Sequence, residues 1–132
     1  MTAGDWQRVL DVNLTGTFLC TKAVIDAMAG RGFGRIINTS SISSLGNRGQ
    51  ANYTSAKAGI IGLTRTLALE YARSGVTVNC IAPGATDTEM TQSIPEEARQ
   101  RFVRKIPMGR LAEPEEIAAA HLFLAGSAAS YI

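Results

Sequence analysis

The sequence predicts an α/β fold built around parallel strands. Apolar residues recur at helical spacing over residues 6–28, 51–72 and 114–125. Two short β-prone segments, residues 35–40 and 76–82, separate these helices. Strands that alternate with helices are typical of parallel pairing, because each connecting helix returns the chain to the same end of the sheet.

Capping signals define where the predicted helices begin and end. Thr2 and Asp5 have the spacing of a capping box and open the first helix. Gly75 ends the second, and Pro114 stands at the first turn of the last one. A shorter helix is predicted over residues 95–104. Since a parallel sheet is normally covered on both faces and has more than two strands, the pattern predicts part of a larger sheet, or a sheet completed by a partner.

The composition excludes several classes of protein. A chain of 132 residues is the size of one domain, and a net charge of +2 gives no argument for a nucleic-acid partner. No segment predicts a signal peptide or a membrane span. Cys20 and Cys80 each lie in an apolar run, so we expect two buried, reduced thiols in a cytoplasmic protein. His121 is the only histidine, and its distance from both cysteines predicts a helix position and no metal site.

A possible catalytic pair lies in the second helix. Tyr53 and Lys57 are four residues apart, which places the phenol and the ammonium one turn apart on one face. A cation beside a phenol favours the phenolate, so such a tyrosine can donate or accept a proton. The pair alone is also common in surface packing. Ser41, at the end of a predicted strand where α/β proteins bind ligands, strengthens the catalytic interpretation.

Five motifs occur in order along the chain. They are Val12-Asn-Leu-Thr-Gly16, Ile36-Ile-Asn-Thr-Ser-Ser41, Tyr53-x-x-x-Lys57, Val78-Asn-Cys-Ile-Ala-Pro-Gly84 and Asp87-Thr88. With this set, and with Met108-Gly-Arg-Leu111 and Pro114-Glu-Glu-Ile117, the chain resembles the short-chain dehydrogenase/reductase family over essentially its whole length. Residues 49–53, Gly-Gln-Ala-Asn-Tyr, are most similar to the branch of 3-ketoacyl-(acyl-carrier-protein) reductases.

The resemblance implies both a fold and an activity. Residues 1–132 would be a single partial domain, the C-terminal portion of a doubly wound Rossmann-type parallel sheet with helices on both faces. The family's Gly-rich cofactor turn and last strand are not found, so we expect a chain truncated at both ends that binds its cofactor poorly. The implied activity is hydride transfer between NAD or NADP and a carbonyl or secondary alcohol, with a 3-oxoacyl thioester as one candidate.

The resemblance also implies the catalytic residues. Tyr53 would be the acid/base, and Lys57 would hold the ribose hydroxyls of the cofactor. Ser41 would orient the carbonyl group of the substrate. Asn13 would sit at a helix irregularity and hold a water that links Lys57 to solvent; a local hydrogen bond within the helix is the alternative.

A second set of residues would meet the nicotinamide. Pro83 and Gly84 begin the loop that, in the family, approaches the carboxamide. Thr86 would contribute a backbone N–H and Thr88 a hydroxyl. The alternative for Pro83-Gly84 is a simple strand terminator.

Two departures from the family pattern affect these assignments. The interval between Ser41 and Tyr53 is one residue shorter than in the branch, so Ser40 and Ser43 stay open as the catalytic serine, although strand register favours Ser41. The arginines with which the branch docks its carrier protein are also displaced. Their positions correspond to Gly32 and Ser74, with Arg31 and Arg73 one residue away, which weakens the carrier-protein substrate.

Two alternative functions remain. The chain could be an inactive fragment that serves only as an oligomerisation or complementation module, since the family dimerises or tetramerises through helices that match residues 6–28 and 51–72. A homo-oligomer is therefore expected in either case. The sugar-epimerase branch shares the Tyr-x-x-x-Lys motif, but Pro83-Gly84 and Met108-Gly-Arg-Leu111 argue against it.

Overall fold

The computed structural model describes all 132 residues and has two strands among six α-helices. In chain order these are α1 (Ala3–Leu10), α2 (Gly16–Gly30), β1 (Gly34–Thr39), α3 (Ala51–Tyr71), β2 (Val76–Ile81), α4 (Glu89–Gln92), α5 (Glu96–Val103) and α6 (Pro114–Ala125). The predicted elements are present within one to three residues of their expected bounds. The short helix α4 was not predicted.

The two strands pair in parallel, which confirms the predicted fold class. The register runs from Gly34 opposite Val76 to Thr39 opposite Ile81. The strands therefore end side by side, and the loops that follow them begin at one edge of the sheet. Ligand sites of open α/β sheets lie at this edge.

Alternate strand residues face opposite helical layers. Ile36, Val76 and Val78 join Ile25 of α2 in the buried core, which α3 also covers. Thr39 lies on the other face, where its Oγ1 is 3.1 Å from Nε2 of His121 in α6. Helices thus cover both faces of the sheet, as the predicted architecture requires.

The first helical segment contains a π-helical turn. Asp11–Thr15 has this geometry and joins α1 to α2, so the continuous helix expected over residues 6–28 is interrupted. The turn includes Asn13, where a helix irregularity was expected. Gly59 of α3 packs beside this segment, because a Cβ there would lie only 2.8 Å from Cδ2 of Leu14. The small side chain lets the two helical segments approach closely.

The prediction of two buried thiols is wrong for Cys20, and Cys80 is only partly buried. Cys20 lies on the exposed side of α2 and Cys80 is half-buried in β2, both as free thiols. The error arose because α2 carries apolar residues around most of its circumference. Without a polar side, the sequence does not reveal that Thr21 and Ile25 are the residues that face the core.

Several large apolar side chains of α2 and α3 are exposed in the single chain. They are Phe18, Leu19, Val24 and Leu69, and Val12 of the π turn is exposed with them. Several large exposed apolar side chains on two helices that contact each other suggest a surface that another protein covers. None of the helices combines the length and the apolar character that a membrane crossing requires.

Candidate active site

Two of the predicted site segments, the serine loop and the Pro83-Gly84 loop, meet where the strands end. The backbone N–H of Ser40 donates to the Ile81 carbonyl at 2.7 Å, which extends the strand pairing by one residue. The N–H of Ile42 donates to the Pro83 carbonyl at 3.0 Å. These bonds join the serine loop to the Pro83-Gly84 loop, so two motifs that are forty residues apart in the sequence become one edge of the site.

Tyr53 and Lys57 lie in the first turns of α3, and the Lys57 side chain reaches this edge. The Lys57 Nζ is 5.5 Å from the centroid of the Tyr53 ring, in agreement with the spacing argument. The same Nζ donates to the carbonyl of Thr39 at 2.9 Å, which ties the lysine to the end of β1. Partial burial lowers the pKa of the Lys57 ammonium, and the nearby Cys80 side chain opposes this shift.

The three candidate serines differ in what their hydroxyls do. Ser40 is buried and its Oγ donates to the Lys57 carbonyl at 2.7 Å, so its proton is already used. Ser41 is half-buried in extended backbone, and its Oγ accepts from the Ser43 N–H at 3.1 Å, which leaves its own proton free to donate. Ser43 lies beside it in a short 3-10 turn. The hydrogen bonds therefore argue against Ser40 and leave Ser41 and Ser43, whose hydroxyl protons are both free to bind a ligand.

Asn13 makes only local bonds in the single chain. Its side-chain Nδ2 donates to the Val9 carbonyl at 3.1 Å, and its backbone carbonyl accepts from Oγ1 of Thr17 at 2.7 Å. Both bonds belong to the helix, as in the alternative interpretation of this residue. A water link from Asn13 to Lys57 stays a prediction.

The nicotinamide loop is held against the segment before α6. The Asp87 N–H donates to the Ala112 carbonyl at 2.8 Å, and the Ala112 N–H donates to the Ala85 carbonyl at 3.0 Å. These two bonds flank Thr86, whose own N–H takes no part in the bridge. Thr88 is the N-cap of α4, and its N–H donates to Oγ1 of Thr91 at 2.7 Å. Thr88 thus has a structural role that the sequence did not predict.

A cavity of about 530 Å³ opens beside these loops and was not predicted. Gly84 and Ser43 line it on the side of the predicted site. Its other walls come from residues 102–112 and are mainly apolar; they are Phe102, Lys105, Ile106, Pro107, Met108, Arg110, Leu111 and Ala112. Met108-Gly-Arg-Leu111 was recognised only as a motif, because nothing local in the sequence shows which loop these residues will face.

An ion pair closes the cavity wall onto α6. Arg110 donates to both carboxylate oxygens of Glu116, each at 2.6 Å, and Glu116 also accepts from the Glu113 N–H at 2.8 Å. The hydrogen bonds from Arg110, followed by that from the Glu113 backbone, lower the pKa of Glu116 to about 2. The pair is exposed, so it fixes geometry more than it adds stability.

Comparison with known proteins identifies the family. A family model described as enoyl-(acyl carrier protein) reductase matches residues 1–132. The chain belongs to the short-chain dehydrogenase/reductase family. This confirms the resemblance on which the sequence motifs were interpreted. Proteins of this family use NAD or NADP.

The relatives act on acyl thioesters according to their names. A 3-oxoacyl-(acyl-carrier-protein) reductase of Synechocystis is 52% identical over the full chain and 53% of its own length. An acetoacetyl-CoA reductase of Rhizobium meliloti is 48% identical, with 56% of its length covered. A substituted succinyl-CoA dehydrogenase subunit of Thauera aromatica is 46% identical, with 53% covered. The chain thus spans about half the length of the curated relatives it matches.

Proposed function

We propose that the protein is an NAD(P)-dependent oxidoreductase that interconverts a carbonyl and a secondary alcohol, with Tyr53 as acid/base. The observation that carries the proposal is the Tyr53–Lys57 pair, with Nζ 5.5 Å from the ring centroid. The Lys57 ammonium lies at the end of β1, next to the place where the loop that begins at Ser41 is bonded to the Pro83-Gly84 loop, which supports the proposal. A phenol beside a half-buried ammonium and a free hydroxyl is a proton-transfer arrangement.

The residues present fit the nicotinamide end of the cofactor. The Lys57 ammonium uses one of its three protons on the Thr39 carbonyl and keeps two for the ribose hydroxyls. The Thr86 N–H is outside the backbone bridge and suits the carboxamide oxygen. Gly84 lines the cavity and has no side chain to obstruct a planar ring. Pro83 holds the loop in place through its bond from Ile42.

The chain's own residues would then perform the proton chemistry. The bound nicotinamide supplies the hydride during reduction and accepts it during oxidation. Tyr53 donates its phenolic proton to the carbonyl oxygen in reduction and removes it from the alcohol in oxidation. Lys57 stabilises the resulting phenolate, and Ser41 donates a hydrogen bond to the same substrate oxygen. Asn13 would hold a water through which Lys57 exchanges protons with solvent.

We propose a 3-oxoacyl thioester as the substrate class, in the cytoplasm. The named relatives act on thioesters of coenzyme A or an acyl carrier protein. The apolar walls of the cavity suit an acyl chain, and Lys105 adds a positive charge at its lining, where the charge of Arg110 is paired with Glu116. Arg31 and Arg73, one residue from the family's docking positions, are both exposed and available to an anionic carrier.

Tyr53→Phe tests the proposed chemistry. Reduction of acetoacetyl-CoA by NADH or NADPH should fall by about a hundredfold to ten-thousandfold, the usual contribution of a general acid. Tyr71→Phe is the matched control, because it removes a phenol at the far end of α3, which donates to Asp26 of α2 away from the site. Undiminished turnover in Tyr53→Phe would refute the assignment. A folded wild-type chain without turnover would favour the second function below.

The second function is an oligomerisation or complementation module, and the exposed apolar residues of α2 and α3 favour it. We propose a homodimer or homotetramer formed through residues 6–28 and 51–72. Leu19→Glu should convert the assembly to monomer in sedimentation velocity, because a charge would be buried in an apolar contact. Leu122→Glu on α6 is the control, at a leucine that is still more exposed than Leu19. A monomeric wild type, or dissociation by both variants, contradicts this interface.

A further inference from the structure

Two consecutive residues at the end of β1 bind Lys57 at its two ends. The Thr39 carbonyl accepts from the Lys57 ammonium at 2.9 Å. The Ser40 hydroxyl donates to the Lys57 backbone carbonyl at 2.7 Å. The Lys57 side chain and the backbone of α3 are therefore both hydrogen-bonded to the same two residues at the end of β1.

Ser40 occupies a fixed position from which to do this. Ser40 is 3% exposed, and its backbone N–H donates to the Ile81 carbonyl of β2 at 2.7 Å. The adjacent face of α3 carries Ala56 and Ile60, which are both buried, so the hydroxyl has no access to bulk water. Its bond to the helix carbonyl is then the means by which its polar group is satisfied.

The position of Ser40 in the chain links this bond to the reacting groups. Ser41 follows it directly, while Tyr53 lies one helical turn before Lys57. A displacement of α3 along β1 would change the distances from Ser41 to both helix residues together. Displacements near 1 Å in an active site cost about a hundredfold in rate.

We propose that Ser40 is a positioning residue whose buried hydroxyl sets the register of α3 against β1, and thereby places the Lys57 ammonium on the Thr39 carbonyl. Only the expected effect on turnover rests on the proposed function. The placement itself is a property of this chain and can be measured without any substrate or cofactor.

The test follows the titration of Lys57 by NMR with lysine labelled at ¹³Cε. The chain has only three lysines, Lys22, Lys57 and Lys105, and Lys57→Arg identifies the signal. In the wild type, partial burial keeps the pKa of Lys57 below 10.5. In Ser40→Ala the pKa should rise toward 10.5, because an ammonium displaced from its half-buried position regains water, and this gain outweighs the loss of its bond to the Thr39 carbonyl.

Ser44→Ala is the matched control from the same loop, and it should leave the Lys57 titration unchanged. Ser40→Cys keeps a weaker donor on a longer bond and should give a Lys57 pKa between those of the wild type and Ser40→Ala. If circular dichroism shows that Ser40→Ala does not fold, Ser40→Cys decides the question. A folded Ser40 variant with the wild-type Lys57 pKa would show that the bond only stabilises the fold, and would overturn the proposal.

Turnover provides the functional measurement. With acetoacetyl-CoA, Ser40→Ala should lower kcat about tenfold or more with little change in KM, as expected for misplaced reacting groups. The two proposals fail in different ways. A wild type without turnover contradicts the proposed function and leaves the NMR result valid. An unchanged Lys57 titration contradicts the role of Ser40 whatever the activity.

Discussion

Gly75→Ala should destabilise the fold well beyond an ordinary substitution of a turn glycine. Gly75 lies between α3 and β2 with φ of 72°, in the left-handed region. A Cβ at this position would overlap the Gly32 carbonyl and would lie 2.8 Å from its carbon atom. The neighbour is backbone and not a flexible side chain, so the clash is relieved only by moving the start of one strand away from the other.

The expected magnitude follows from two separate costs. Placing alanine in the left-handed region costs about 1 kcal/mol after the gain from a less flexible unfolded chain. Overpacking against a rigid neighbour adds about 1–3 kcal/mol. Gly109 separates the two costs, because its φ is 68° and nothing lies within 4 Å of an added Cβ. Gly109→Ala should therefore lose only about 1 kcal/mol, and Gly75→Ala about 2–4 kcal/mol.

Urea unfolding followed by circular dichroism measures this difference. Both variants should keep the wild-type dependence of free energy on urea, so that their midpoints compare directly. The midpoint should fall clearly further for Gly75→Ala than for Gly109→Ala. Equal losses would mean that the contact with Gly32 contributes nothing and that the reasoning from close backbone approach is mistaken.

Two further predictions concern acid stability and cofactor affinity. The pKa of Glu116 is lowered from 4.5 to about 2, so its pairing with Arg110 contributes stability above about pH 4.5 that is lost as the pH falls toward 2. Glu116→Gln should lose less stability than the wild type across this interval in urea titrations, and parallel losses would contradict the pairing. The 132 residues should also bind NADH and NADPH only weakly, since they contain no Gly-rich pyrophosphate turn; micromolar affinity by calorimetry would refute this.

The family and the fold class were predictable from the sequence because their signals are local. Capping residues such as Thr2 and Pro114 define helix ends through bonds within one turn. Strand alternation and the spacing from Tyr53 to Lys57 depend only on the periodicity of their own element. The motifs added the identity of the family, since their order and spacing are recorded directly in the chain.

Other features depended on contacts between distant segments. The exposed position of Cys20 follows from which side of an apolar helix meets β1 and α3, and the sequence of that helix carries no polar face to reveal it. Residues 102–112 form a cavity wall where Ala112 makes a backbone bridge with Thr86. This bridge joins two backbones, so the side chains of the sequence do not predict it.

The serine assignment shows the same division most clearly. The sequence by itself placed serines 40, 41 and 43 near Tyr53 and left the choice among them open, because a hydroxyl has the same chemistry at each position. The tertiary structure set Ser40 apart by giving its hydroxyl a buried partner in the Lys57 carbonyl, and left the protons of Ser41 and Ser43 free. Sequence determined which groups are available; only the packing of α3 against β1 decided which of them is already hydrogen-bonded.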